Sequence, residues 1–346
     1  MVEIQVGATT DAPSDRSSHA AESAVSRDAT PSISVVLPTY NRADIVMEAI
    51  SSVVAQTFPT WELLVVDDHS TDSTAIRLEQ VADPRVRVLL NRGTKGNAGA
   101  RNYGFTQARG EWICQIDSDD LWDSRMLEYL AAGVARAGPR VGVVYGSDHS
   151  SDMETGAIRR RRVAALSGYA FPAILERQFY HHCAAAIRRV AFDSVGGYDE
   201  SLDGVEDTDL QHRLTLDWEV LAVPEAIYHY RLGRPDQLTQ EHGRRAAKQL
   251  LFLAKHDDQL RVMPRSLVKM VGAVMVTCLK GGRWGDAARL WGRMLGSGLA
   301  APRLVWTYNL RAAVVVRDML RRRLSKRPAR RVSTPMSSAK RSAEPG

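Results

Sequence analysis

Two rhythms of apolar and polar residues alternate along this chain. The run Ile33-Ser34-Val35-Val36-Leu37 is mostly apolar and β-branched and stops at Pro38, which reads as a short buried strand. Thr39-Tyr40-Asn41-Arg42 turns the chain. From about Ala43 to Ala55 the period becomes helical and places Ile45, Ala49, Ile50 and Val53 on one face. The pattern then repeats. Strands are predicted at Trp61–Val66, Val86–Leu90, Trp112–Ile116 and Val141–Tyr145, and helices at Ala75–Val81, Ala100–Ala108 and Ser124–Arg136. Strands that alternate with helices predict an α/β fold with a mostly parallel central sheet and helices on both faces.

The rhythm changes after Gly146. Residues 147 to 162 are polar and end in four arginines, which predicts an excursion from the sheet. Asp207 to Asp217 reads as a helix with an acidic first turn, and Glu219 to Tyr230 holds one or two strands. From about Gly243 onward the pattern is that of a helical C-terminal extension, clearest at Ala287–Leu295. Residues 1 to 31 are rich in Ser, Ala, Asp and Thr and are expected to be disordered. The chain therefore divides into that segment, a domain over 32–232 with halves meeting at 146/147, a helical extension over 233–310, and a basic tail over 311–346.

Composition is that of a soluble globular protein of 346 residues, with 44% hydrophobic and 25% charged residues. Charge is uneven. Residues 1–31 hold five acids and two bases, whereas residues 311–346 hold eleven bases and two acids. Cys114, Cys183 and Cys278 lie far apart, which argues against a disulfide framework or zinc site and fits a reducing compartment. No signal peptide is evident, and the longest apolar stretch, Met270–Leu279, is ten residues where a membrane span needs about 20. The expected location is cytoplasmic, or peripheral on the inner face of the cytoplasmic membrane.

The candidate chemistry lies at strand ends. Gln115-Ile116-Asp117-Ser118-Asp119-Asp120-Leu121 closes the fourth strand with carboxylates, and in open α/β sheets ligands gather at that edge. Asp117 and Asp119 alternate with Ser118, so an extended backbone points both to one side, a pattern that suits Mg²⁺ or Mn²⁺. The plain alternative is that these residues cap a helix starting near Leu121. Pro38-Thr39-Tyr40-Asn41 offers a ring and polar groups at the first strand tip, and Asp67-Asp68 offers acceptors at the second, or simple N-caps. Lys95 in the glycine-rich loop 91–99, or Arg101 beyond it, is placed to meet a diphosphate, although the loop is neither a Walker loop nor a dinucleotide fingerprint. His181 and His182 have no metal-ligand spacing to a partner and read as structural or acceptor-side residues. Glu206-Asp207 opens a helix and supplies a general base or first-turn charge.

The order of these signals resembles the inverting glycosyltransferases of family 2, with the GT-A fold. The matching stretches are Ser34–Arg42, Ser51–Phe58, Trp61–Thr74, Ala100–Asn102, Gly110–Asp120, Val195–Glu200 and Glu206–Leu210, within roughly residues 32 to 232. The resemblance implies an enzyme that moves a sugar from a nucleoside-diphosphate sugar to an acceptor hydroxyl in cell-surface polysaccharide or glycoconjugate synthesis. It implies that Thr39, Tyr40 and Asp68 hold the nucleoside, with Pro38 and Asp67 beside them. Asp117 meets the ribose or base, with Ser118 alongside, and Arg101 meets the diphosphate. Asp119 binds the metal, Mn²⁺ or Mg²⁺. Asp207 is the catalytic base, and Glu206 and His182 lie on the side of a glycan or lipid-linked acceptor. Family members often carry Tyr-Arg-x-His near the end of this domain; here Tyr230-Arg231-Leu232-Gly233 lacks the histidine, and His229 is out of register.

Two rival readings stand beside this one. A sugar nucleotidyltransferase shares the sheet and the metal but attacks phosphorus. A non-enzymatic adaptor for membrane or nucleic acid is suggested by the basic tail. Nucleic acid is not expected, because residues 318–346 contain no aromatic residue. The arginines more naturally meet an anionic membrane surface. On that expectation Arg311–Lys326 forms an interfacial helix with Ala312, Val315 and Val316 near Leu320 on its apolar side.

Overall fold

In the computed structural model the described residues are 31–176, 178–234, 242–297 and 302–325. The expected N-terminal disorder, on residues 1–30, and the tail beyond Ser325 lie outside them. In chain order the first elements are β1 (Ile33–Thr39), α1 (Val46–Val54), β2 (Trp61–Asp67), α2 (Thr74–Leu78), β3 (Val86–Leu90), α3 (Asn97–Gln107) and β4 (Trp112–Gln115). They are followed by β5 (Leu121–Trp122), α4 (Met126–Ala135), β6 (Val141–Asp152), β7 (Ile158–Arg162), α5 (Phe171–Glu176), β8 (Ala185–Arg188), α6 (Arg189–Ser194), α7 (Glu206–Asp217) and β9 (Glu219–Leu232). The extension contains α8 (His242–Lys255), α9 (Asp257–Arg261), α10 (Pro264–Lys280), α11 (Trp284–Ser297) and α12 (Pro302–Ser325), and α12 runs unbroken across the boundary expected at 310/311.

The strands form one sheet in the order β3-β2-β1-β4-β8-β6-β9-β5, with β7 paired to β6. β1 and β2 bury every residue, as strands covered on both faces must. Ile33, Val35 and Leu37 meet α1 and α4 on one face, while Val36 meets Ala100 and Phe105 of α3 on the other. The four strands β3, β2, β1 and β4 are parallel. Beyond β4 the sheet is mixed: β8 runs antiparallel to both β4 and β6, β9 runs parallel to β6, and β5 runs antiparallel to β9. The expectation of a mostly parallel sheet thus describes the first half. In the second half only β6 and β7 form a hairpin; β8 and β5 reach antiparallel partners far along the chain.

The polar stretch 147–162 is not an excursion. β6 continues to Asp152 alongside β9, and β7 folds back on it as a hairpin. The polar residues remain in the sheet because Asp148, fully buried, is ion-paired to Arg162 and Arg160 of β7 at 3.2 and 3.5 Å.

α10 is the axis of the extension. Its Val268, Val271, Met275 and Cys278 are buried, so the longest apolar run of the chain serves a core. Gly272 lets α12 approach it: a Cβ at that position would lie 2.4 Å from the Tyr308 ring. Among the described residues no helix is long and apolar enough to cross a membrane.

Candidate active site

The carboxyl ends of β1, β2 and β4 converge on one edge, and the loops that follow them carry most of the predicted residues. At β1, Pro38 and Thr39 are buried and Tyr40 is exposed, with Lys95 Nζ 4.5 Å from its ring centroid. Asn41 takes a left-handed backbone, φ 52°, and its Oδ1 accepts the Thr71 amide at 2.7 Å. At β2, Asp67 accepts the Ser70 amide and hydroxyl at 3.1 and 2.5 Å and so shapes its own turn. Both oxygens of Asp68 hold the glycine-rich loop, from Asn91 Nδ2 at 2.7 Å and the Gly96 amide at 2.9 Å. Neither acid caps α2, which starts at Thr74. Gly99 is required for that loop to fold back onto α3, because a Cβ there would lie 1.9 Å from the Thr94 carbonyl.

The acidic loop after β4 separates three carboxylates by environment. It caps no helix: Leu121-Trp122 is β5, and α4 begins only at Met126. Asp120 is structural. It is fully buried and accepts the Tyr228 hydroxyl and, at 2.7 Å, the Arg231 amide. Arg231 Nε also donates to the Asp119 carbonyl at 2.6 Å, so the Tyr-Arg segment of β9 clamps this loop without its missing histidine. His229 pairs with Leu121 across β5 and β9, and its ring lies edge-on to His149 at 5.8 Å. Ser118 is buried between the two remaining acids.

Asp117 and Asp119 differ sharply. Asp117 receives Arg101 Nη2 at 2.6 Å, and its other oxygen lies 3.6 Å from His182 Nε2. Burial pushes its carboxyl up, but Arg101 and His182 outweigh this and hold it well below the usual range. The Asp119 carboxylate is held by its own backbone amide, and burial together with the neighbouring Asp117 charge raises its pKa against the pull of Arg42 and Arg234. A half-buried acid crowded by like charge is a fitting ligand for a hard divalent cation, which removes that penalty.

Arg101, buried to 2% exposure, is the hub of the site. Its Nη1 donates to Glu206 at 2.6 Å and its Nη2 to Asp117 at 2.6 Å, so α3 ties the tip of β4 to the start of α7. The guanidinium is therefore committed to two carboxylates and is not open to a diphosphate, unlike the sequence expectation. Glu206 is likewise turned inward, accepting the Gly204 amide as well, rather than toward an acceptor. Burial pushes Glu206 up and Arg101 offsets only part of that.

His182 joins Asp117 to Asp207. Antiparallel pairing places Cys114 of β4 opposite Ala186 of β8, and continuing that register brings the turn before β8 beside the acidic loop. Trp122 Nε1 fixes the turn by donating to the Cys183 carbonyl at 2.9 Å. His182 Nδ1 lies 3.2 Å from Asp207 Oδ2, an ion contact rather than an aligned hydrogen bond. Burial opposes the charged imidazole, but its surroundings raise its pKa well above the ordinary value. The Cys183 thiol is itself pushed up to about 11 by burial and is neutral at pH 7, so the Asp117 and Asp207 carboxylates carry the effect. Burial likewise pushes Asp207 up, and His182 more than offsets it, keeping Asp207 ionised.

Asp207 keeps a partly open carboxylate at the first turn of α7, with Gln178 Nε2 3.3 Å away. Gln178 carried no signal in the sequence. His181, His182 and Cys183 place ligand atoms within 4.8 Å of one another. They are already engaged otherwise: His182 faces two carboxylates, and His181 Nδ1 accepts the Cys183 amide at 3.3 Å. The arrangement offers one ionised, accessible carboxylate, one cation-seeking carboxylate, and a buried network holding them in one frame.

Residues 34–196 match the family described as Glycosyl transferase family 2. The Escherichia coli protein UDP-Glc:alpha-D-GlcNAc-diphosphoundecaprenol beta-1,3-glucosyltransferase WfgD is 43% identical over 96 residues, 28% of this chain and 38% of that protein. Succinoglycan biosynthesis protein ExoO of Rhizobium meliloti is 39% identical over 116 residues, 34% of this chain and 33% of that protein. The chain thus spans well under half the length of these curated relatives. Staphylococcus aureus TarS 1-349 in complex with UDP-GlcNAc superposes with a TM-score of 0.56 at 15% identity, covering 86% of this chain and 93% of that one. The mannosyltransferase PcManGT from Pyrobaculum calidifontis, in complex with GDP-Man and Mn2+, gives 0.51 at 22% identity, covering 83% and 87%. At these identities the likeness is one of fold, and that fold is GT-A.

Proposed function

Residues 34–196 belong to glycosyl transferase family 2, and from that premise we propose that the chain transfers a sugar from a nucleoside-diphosphate sugar to an acceptor hydroxyl with inversion. The observation that carries this reading is the network Asp117–Arg101–Glu206 with His182 reaching Asp207, which joins the strand-tip edge to one ionised carboxylate. The nucleoside lies along the tips of β1 and β2, over the Tyr40 ring and the loop that Asp68 holds. Asp207 accepts the proton of the acceptor hydroxyl. The acceptor oxygen bonds to the anomeric carbon as the bond from that carbon to the diphosphate oxygen breaks, and the electron pair leaves with the diphosphate. A single base and a single displacement invert the centre.

His182 and Gln178 act on Asp207 from the protein side. The imidazole keeps the base ionised and orients it, and the Gln178 amide fixes the oxygen they share. Arg101 and Glu206 are positioning residues. Asp119 would hold Mn²⁺ or Mg²⁺, which when bound supplies charge neutralisation to the diphosphate. The acceptor is proposed to be a lipid-linked glycan at the inner face of the cytoplasmic membrane, as the relatives' polysaccharide chemistry suggests. The test is a panel of UDP- and GDP-sugars screened for thermal stabilisation with and without Mn²⁺. The reading expects at least one donor that stabilises only with the metal. No stabilisation by any donor would count against it.

A further inference from the structure

Six of the seven tryptophans fall into two populations. Trp61, Trp112 and Trp122 are buried in the sheet core, whereas Trp284, Trp291 and Trp306 are exposed on the extension, Trp306 by 68%; Trp218, beside β9, is half-buried. The exposed ones lie at helical spacing with other apolar residues. On α11, Trp284, Ala288, Trp291 and Leu295 share one solvent-facing stripe, about a quarter turn from the buried Ala287, Leu290 and Met294. On α12, Trp306, Leu310 and Val314 form a second stripe. The indole Nε1 of Trp291 donates to Asn309 Oδ1 at 2.9 Å, which joins the two stripes edge to edge.

The apolar side expected to face a membrane is a different one. Ala312 and Val315 pack against the core cluster, because α12 lies on α10 with Tyr308 over Gly272. The remaining side carries the Trp306 stripe. Arg289, Arg303, Arg311 and Arg317 are exposed on the same two helices, and Arg303 and Arg317 fall at helical spacing with the Trp306 stripe. The sequence from Pro302 to Ser325 holds six bases against one acid, and residues 326–346 add six bases against one acid.

We infer that the joined Trp284–Trp291–Trp306 face of α11 and α12 is a docking surface for an anionic lipid bilayer. Tryptophan prefers the headgroup level, where its ring is half in hydrocarbon and its N–H meets polar groups. Helices with apolar faces flanked by arginine lie flat in that interface. A second copy of the chain fits poorly, since the same contact would bring two arginine-flanked faces together, whereas anionic headgroups complement them. The inference stands on exposure and charge and is independent of the proposed reaction. It does agree with that reaction's geometry. The inner side of α12 presents Tyr308 to a cavity of about 180 Å³ that Gln178 and Thr208 also line, and both residues contact Asp207. A bilayer on the outer side of α12 lies one helix away from the acceptor side of the site.

The full chain and its Trp291→Gln/Trp306→Gln variant should be sedimented with vesicles of phosphatidylcholine, with and without phosphatidylglycerol, at low and high salt. Both positions are exposed, and matching melting curves confirm that the variant is folded. The wild type is expected to bind the anionic vesicles, to lose affinity with salt, and to have its fluorescence quenched by lipids brominated in the acyl chain. The variant should bind at least ~10-fold more weakly, without quenching, as expected when the apolar part of interfacial binding is removed. Equal binding by both proteins would overturn the inference and leave the residues beyond Ser325 as the anchor. Absence of vesicle binding, with a wild-type dimer in light scattering that the variant abolishes, would assign the face to a second copy instead.

Discussion

Replacing Arg101 with methionine keeps the apolar body of the side chain and removes its charge. In the native site that charge lies 2.6 Å from Asp117 and 2.6 Å from Glu206, with the arginine 2% exposed. Deleting one partner of a buried ion pair costs about 3–5 kcal/mol, because the other charge is left buried and unpaired. Here two carboxylates lose one shared cation, so the cost belongs at the upper end of that range, a large part of the ~5–15 kcal/mol that holds a domain folded. Part of it is recoverable. In the variant both acids have folded pKa values raised above their unfolded ones, so the penalty is present while they are ionised and shrinks as pH falls through those raised values. Adding Glu206→Gln removes one of the two charges and should restore about 1–3 kcal/mol, the coupling range for groups in one network. Urea unfolding of the wild type, the single variant and the double variant at pH 7 and pH 5 measures all three quantities. A loss below about 1 kcal/mol for Arg101→Met, or no recovery in the double variant, would refute the view of Arg101 as the buried hub.

Further predictions concern the metal ligand and acid stability. Asp119→Asn is expected to abolish Mn²⁺-dependent binding of nucleoside diphosphate in calorimetry while slightly raising the melting temperature without metal, since it removes a carboxylate that burial and Asp117 disfavour; unchanged affinity would assign the metal elsewhere. His212 is buried against Phe171, Phe252 and His256, and burial pushes its pKa down to about 3. The unfolded chain therefore binds a proton that the folded chain does not, and stability falls by about 1 kcal/mol per pH unit as pH drops below about 6.5. His212→Phe should be near neutral at pH 7 and should flatten that acid slope in denaturation measured from pH 7 to pH 4; an unchanged slope would show that His212 does not carry it.

The first half of the fold was readable because the strands are buried on both faces. Such strands appear as unbroken apolar runs, and acids at their ends stand out against them. The same contrast marked Asp117, Asp119 and Asp68 as candidates, whereas Asp207 stood out through the acidic first turn of its helix. The second half was harder for specific reasons. Ala184-Ala185-Ala186-Ile187 is apolar but carries no sign of strand direction, so the antiparallel return that sets His182 beside Asp117 was hidden. Asp148 and the arginines of β7 look like a solvated loop until ion pairing places them in a sheet. Arg101 is basic and close to a glycine-rich loop, which pointed to phosphate; its commitment to two acids depends on how α3 packs. The division of labour among Asp117, Asp119 and Asp120 likewise follows from partners far along the chain, Arg101, Arg231 and Tyr228, and no local pattern shows it.

The central claim is that Asp207 is the base of a donor-dependent transfer. It is tested most directly by comparing Asp207→Asn with the wild type, using whichever nucleotide sugar and Mn²⁺ stabilise the protein, with a polyprenyl-diphosphate-linked sugar as acceptor. Donor affinity is read by calorimetry and turnover by release of nucleoside diphosphate. The account predicts unchanged donor affinity and a turnover lower by ~10²-fold or more, the range for losing a general base. Turnover close to that of the wild type, at equal donor affinity, would contradict it.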